Sequence, residues 1–113
     1  MTIITGITAG AKQAMTLQLP DGSKASFYME YIDGQQGWFY SLTLGSFSVS
    51  YRRMVVNPNM LRAFRGIIDF GLSCMTTDMY EPIFINDFST GRAKLYLLDS
   101  SDIEEVESIL NVN

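Results

Sequence analysis

The sequence predicts a mainly β protein, a small antiparallel β-sandwich or partly open barrel of six or seven strands with one or two short α-helices. Three observations carry that expectation. Apolar residues alternate with polar ones at a period of two through four successive stretches. Residues suited to tight turns separate them. Only two later segments combine helical spacing with a helix-start signal.

The chain divides into an extended N-terminal arm, residues 1–13, and a single β-rich domain, residues 14–113. The arm is rich in Thr, Gly, Ala and Ile and shows no sustained period, so it is expected to become ordered against a neighbour. The first strand, residues 14–19, sets Met15, Leu17 and Leu19 against Thr16 and Gln18. Pro20-Asp21-Gly22-Ser23 then supplies a turn, and residues 24–31 place Ala25, Phe27, Met29 and Tyr31 on one face to complete a hairpin. After a polar loop, residues 38–44 alternate again. Gly45-Ser46 forms a two-residue turn with glycine first, and Phe47, Val49 and Tyr51 alternate with Ser48, Ser50 and Arg52 in a second hairpin, whose pattern breaks over residues 53–56 at a bulge or the strand's end.

Asn57-Pro58-Asn59 reads as a helix start, and Leu61, Phe64 and Ile68 fall on one stripe, so a helix is expected over residues 57–68. Further strands are expected at residues 72–77, 83–85 and 92–98. A closing helix over residues 101–110 carries Ser101 and Glu104 at capping-box spacing, with its acids gathered in the first turns.

Composition excludes most familiar chemistry. The 113 residues are enough for one core and too few for two. With 47% hydrophobic and 18% charged residues the chain is expected to fold. It has no histidine and one cysteine, which removes histidine-assisted nucleophilic catalysis, histidine-ligated metals and internal disulfides. No phosphate-cradling loop or dinucleotide fingerprint is present. Cys74, within an apolar segment, reads as a small buried hydrophobe. No catalytic, cofactor-binding or metal site is therefore expected, and no small-molecule substrate. The net charge of −4 argues against nucleic acid as a partner, and no apolar run is long enough for a membrane helix or shaped like a secretory leader.

Two features point to interfaces. Arg52, Arg53, Arg62 and Arg65 are half of the basic residues, in a stretch with no acid between Asp33 and Asp69, while residues 99–113 hold five acids and no base. The two segments can pair between neighbouring subunits or meet within one chain. The aromatics of the two hairpins point to both faces, so Tyr28 and Phe39 join the four arginines as candidate interface residues. Either a partner or a covering helix accounts for the second aromatic face.

The stretches GITAGAKQAMTLQLPDGSKASFYMEY, QQGWFYSLTLG and VVNPNMLRAFRGIIDFGL, with the final LYLLDSSDIEEVE, resemble a family of small uncharacterised-domain proteins encoded among the tail and baseplate genes of tailed bacteriophages. The resemblance spans nearly the whole chain. It implies a non-enzymatic virion protein, in the baseplate or at the end of the tail tube, assembled in the host cytoplasm as a multi-copy ring with other tail proteins. The alternative is a carbohydrate-binding β-module of a host-recognition device, since such platforms also use exposed aromatic residues.

Overall fold

A computed structural model describes residues 1–110, with the side chain of Leu110 outside that description. The architecture is mainly β, with two antiparallel sheets, one short α-helix and a core between the sheets, in agreement with the sandwich expected.

The four-stranded sheet is a meander in which β2 (Lys12–Gln18), β3 (Lys24–Ile32), β4 (Gly37–Leu44) and β5 (Phe47–Arg53) pair in chain order. Its strands lie where the alternation predicts them, because period-two patterning needs only that one face be buried. Phe27, Met29, Trp38, Tyr40, Leu42 and Val49 form the buried face. The β2–β3 turn is closed by the Leu19 amide donating to the Ser23 carbonyl at 2.8 Å, with Asp21 Oδ1 accepting from the Ser23 amide at 2.9 Å. Gly45 has φ of +59°, which its lack of Cβ allows at the first turn position between β4 and β5.

The second sheet has the order β1-β7-β6, from β1 (Thr2–Ile3), β6 (Gly71–Thr76) and β7 (Ala93–Leu98). Leu72, Cys74, Leu95 and Leu97 face the first sheet and share one apolar cluster with Phe27, Trp38 and Tyr40. The helix α1 (Ser100–Leu110) follows β7 directly and packs against it. Its start is a reciprocal pair. Asp99 Oδ1 accepts from the Asp102 amide at 2.8 Å, and Asp102 Oδ2 accepts from the Asp99 amide at 3.0 Å. The capping box thus begins two residues before the expected Ser101–Glu104 pair, because Asp99 stands between β7 and α1 and its carboxylate and amide pair with the amide and carboxylate of Asp102.

Four expectations are corrected. The helix over residues 57–68 is not formed; only a 3₁₀ turn, Arg62–Phe64, appears. Asn57 instead bridges to Cys74 and the Met60 amide donates to the Leu72 carbonyl at 2.7 Å, so this segment closes the free edge of β6. The buried Asn59 carboxamide oxygen accepts from the amides of Leu61 and Leu72 at 3.0 and 3.1 Å. Gly71 permits that approach, since a Cβ there would lie 2.7 Å from Asn59 Oδ1. Secondly, residues 83–85 are not a strand but part of a long turn-rich loop between β6 and β7. Thirdly, the arm of residues 1–13 is not left for a neighbour. Thr2 and Ile3 pair with Leu97 and Tyr96, and Ile4 and Ile7 pack against the core. Lastly, Tyr51, expected on the face of Phe47 and Val49, is turned to the opposite face by a bulge in which Ser50 and Tyr51 together oppose Ser41, while β5 ends at Arg53, where the pattern was expected to break.

Candidate protein-interaction site

The outer face of the four-stranded sheet carries Tyr28 and Phe39, the two aromatics that alternation sets outward, together with Tyr51, which the bulge in β5 turns to that face. Pairing places Lys12, Glu30, Phe39 and Arg53 in one row across it, and Ala14, Tyr28 and Ser41 in the next. The Arg53 guanidinium sits 4.8 Å from the centre of the Phe39 ring and donates to the Gln35 carbonyl at 3.0 Å. Tyr51 occupies the left-handed region at φ +48°, where a non-glycine residue costs on the order of 1–3 kcal/mol. Its amide donates to Ser41 Oγ at 3.0 Å and its ring meets Tyr28 edge-on at 6.2 Å. The Tyr28 hydroxyl donates to Glu30 Oε1 at 2.8 Å. That bond to a carboxylate holds the Tyr28 phenol up at about 12, with partial desolvation and the Glu30 charge adding to it.

The four arginines do not form one cationic surface. Arg53 lies over Phe39 on the outer face, whereas Arg52 stacks 5.0 Å from the Phe64 ring of the 3₁₀ turn. Arg62 is engaged with α1: its Nε donates to Glu107 Oε1 at 2.9 Å and its Nη2 to Glu107 Oε2 at 3.2 Å. The hydrogen bond from Arg62 lowers the Glu107 carboxyl below its ordinary value. The basic segment and the acidic helix thus meet within one chain. Arg65 is exposed, and its guanidinium donates to the Arg62 carbonyl at 3.4 Å.

A group of five exposed apolar side chains lies elsewhere, on the loop between β6 and β7. Met79, Tyr80, Ile83, Phe84 and Ile85 all project from it, Tyr80 at 74% and Phe84 at 56% exposure. The backbone beneath them is pinned. Tyr31 Oη donates to the Ile83 carbonyl at 2.6 Å and Trp38 Nε1 to the Phe84 carbonyl at 3.1 Å. The Phe84 amide donates to Asp87 Oδ2 at 2.9 Å, and the Val56 amide to Glu81 Oε2 at 2.8 Å. Arg92 bridges the base of the loop, 2.9 Å from the buried Asp87 and 3.0 Å from Asp78. Such a loop holds its apolar side chains in place before any partner arrives, which lowers the ordering cost of binding. Sequence reasoning assigned residues 83–85 to a strand and missed this surface. The available signal was an apolar run beside a proline, flanked by Asp78, Asp87 and Arg92 at spacings no local period explains.

Among the described residues no three acids or cysteines stand close enough together to hold a metal ion, and no helix is long and apolar enough to cross a membrane. The buried Cys74 thiol is pushed up to about 12, chiefly by desolvation, and is a packing group rather than a nucleophile.

Fold and surface together define a small β-sandwich domain with a pinned apolar loop and an uncovered aromatic sheet face. No protein-family model matches the chain, and a search of curated proteins finds no match.

Proposed function

We propose that the protein is a non-enzymatic structural subunit of a bacteriophage tail, in the baseplate or at the tube end, working through interfaces with other tail proteins in a multi-copy assembly in the virion. The observation that carries this reading is the pinned loop bearing Met79, Tyr80, Ile83, Phe84 and Ile85, an apolar surface preorganised for a protein partner. The tail assignment itself rests on the resemblance of the GITAGAKQAM, GWFYSLTLG and NPNMLRAFRG stretches to tail-gene products.

The test is assembly of the purified chain with the products of its neighbouring genes, followed by sizing. Tyr80→Ser with Phe84→Ser should prevent incorporation while shifting the chain's own stability by less than about 1 kcal/mol, since both side chains project into solvent. Normal incorporation of the double variant would remove the support this loop lends.

A second reading, a carbohydrate-binding module, is favoured by a shallow depression of about 320 Å³ on the outer sheet face. Thr16, Ser26, Tyr28, Ser41 and Thr43 line it, combining hydroxyls with an aromatic ring as sugar platforms do. A glycan-binding screen with Tyr28→Ala as control distinguishes it from the first.

A further inference from the structure

We propose that the gap between β1 and β2 is a strand-acceptor site, which binds an extended segment of a partner polypeptide by backbone hydrogen bonding and so joins the two sheets. This does not depend on the virion reading, because it rests on backbone chemistry alone.

The sandwich has four sheet edges, and two are closed. The edge of β6 is covered by the Asn57–Met60 backbone, with the Cys74 amide and carbonyl both bonded to Asn57. The edge of β5 is broken by the Tyr51 bulge and carries Arg52 and Arg53, devices that discourage strand addition. β2 has neither a bulge nor a proline. The Tyr31 amide donates to the Ala11 carbonyl at 2.7 Å, and the Leu19 amide to the Ser23 carbonyl at 2.8 Å. Those two bonds set the alternation of the β2–β3 ladder, so the odd-numbered residues bond to β3. The amides and carbonyls of Lys12, Ala14, Thr16 and Gln18 are directed away from it. Among the described residues no hydrogen bond engages those groups.

The same logic applies to β1. The Ile4 amide donates to the Leu95 carbonyl at 2.8 Å, so the Ile3 amide and carbonyl point away from β7. Both unpaired edges line a single cleft of about 490 Å³, walled by Ile3 and Thr5 on one side and by Ala14, Thr16 and Gln18 on the other. A segment lying there pairs with backbone on both sides, the mode of recognition in which main-chain bonds supply affinity. Charge specifies one end of the occupant. Through Thr2, Gln18 and Leu97 the cleft runs on to Asp99 and Asp102. Asp102 is paired with the N-terminal ammonium at 3.0 Å, while the exposed Asp99 has no ion-pair partner among the described residues. The occupant is therefore an extended segment with alternating apolar and polar residues and a lysine or arginine at the end beside Asp99.

The test uses the full chain and a displayed library of random peptides of about ten residues. Selection should enrich alternating sequences with a basic residue at one end, and a synthesised winner should protect the Ala14, Thr16 and Gln18 amides from hydrogen exchange. Ala14→Pro removes an outward-facing amide that makes no bond within the domain, so it should fold and lose at least about tenfold in affinity for that peptide. Asp99→Asn should weaken binding several-fold. The protection pattern in the unmodified chain decides the matter even if the proline variant misfolds. Failure to enrich any peptide, protection confined to other segments, or closure of the cleft by a second copy of this chain would each overturn the proposal.

Discussion

Trp38 Nε1 donates a hydrogen bond of 3.1 Å to the carbonyl of Phe84, forty-six residues away in the chain. One side chain thus does two jobs. Its ring is fully buried in the core, edge-on to Tyr31 at 5.5 Å and to Phe88 at 5.7 Å, and its polar edge fixes the loop that displays Phe84. Core stability and presentation of the apolar surface are coupled through this residue.

Trp38→Ala is expected to destabilise the protein by about 3–5 kcal/mol through loss of buried area and the cavity left behind. Trp38→Phe, which keeps most of the ring but leaves the Phe84 carbonyl without its donor, should cost about 1–3 kcal/mol. Chemical denaturation measures both. A Trp38→Ala melt indistinguishable from that of the unmodified chain would refute the core role.

Removing residues 2–7 should cost about 2–3 kcal/mol, because Ile4 and Ile7 pack on the core and β1 pairs with β7. Denaturant midpoints of the shortened and full-length chains give the comparison, and equal midpoints would show that the arm contributes nothing to its own domain.

Tyr28 should remain protonated well past the ordinary tyrosine range. Its phenol is held at about 12 first by its hydrogen bond to Glu30, so a spectroscopic titration of the tyrosines should show Tyr28 ionising late, alongside Tyr40, which burial also raises. The folded value lies above the unfolded one. Any stability linked to this group is therefore complete below the ordinary value and lost as pH rises through about 12. Glu30→Gln should bring Tyr28 down and leave Tyr40 late; an unchanged titration would separate the Tyr28 shift from the carboxylate.

Acid should loosen the junction between α1 and the 3₁₀ turn. Glu107 is depressed chiefly by its hydrogen bond from Arg62, and Asp102 chiefly by the Asp99 amide. Both carboxyls are lowered on folding, so their contribution is complete above the ordinary carboxylate range and is lost as pH falls through the lower folded values. Thermal melts should be flat from about pH 7 to about pH 5 and fall below about pH 4. Glu107→Gln should flatten part of that fall, and an identical acid profile would exclude the pair as a contributor.

Thiol reagents should leave Cys74 untouched in the native protein at neutral pH, since the side chain is wholly buried and its thiol is held at about 12. Modification should follow the unfolding transition. Rapid labelling under native conditions would contradict the packing of β6 against the core.

The strands β2, β3, β4 and β5 with their two turns were legible in the sequence, and so were β6, β7 and α1. Each depends on neighbours a few residues away: alternation that buries Phe27, Met29, Trp38 and Tyr40, turn residues at Asp21, Gly22 and Gly45, and acids gathered at a helix start. Tyr28 and Phe39 were likewise legible as outward-facing residues, since opposite parity on a strand means opposite face. The tertiary structure decided the rest through bonds that no local window contains. Leu61, Phe64 and Ile68 have helical spacing, yet the backbone from Asn57 to Met60 is taken by the open edge of β6, which offers bonds a helix start cannot match. Arg62 and Arg65 look equivalent along the chain, but among the described residues it is Arg62 that hydrogen-bonds Glu107 once α1 is docked. The apolar loop owes its shape to Arg92 reaching both Asp78 and Asp87, and to Tyr31 and Trp38 donating from a different sheet. Periodicity records which face a side chain takes within its own element; which element meets that face is set by long-range hydrogen bonds and ion pairs that exist only after the sheets have packed.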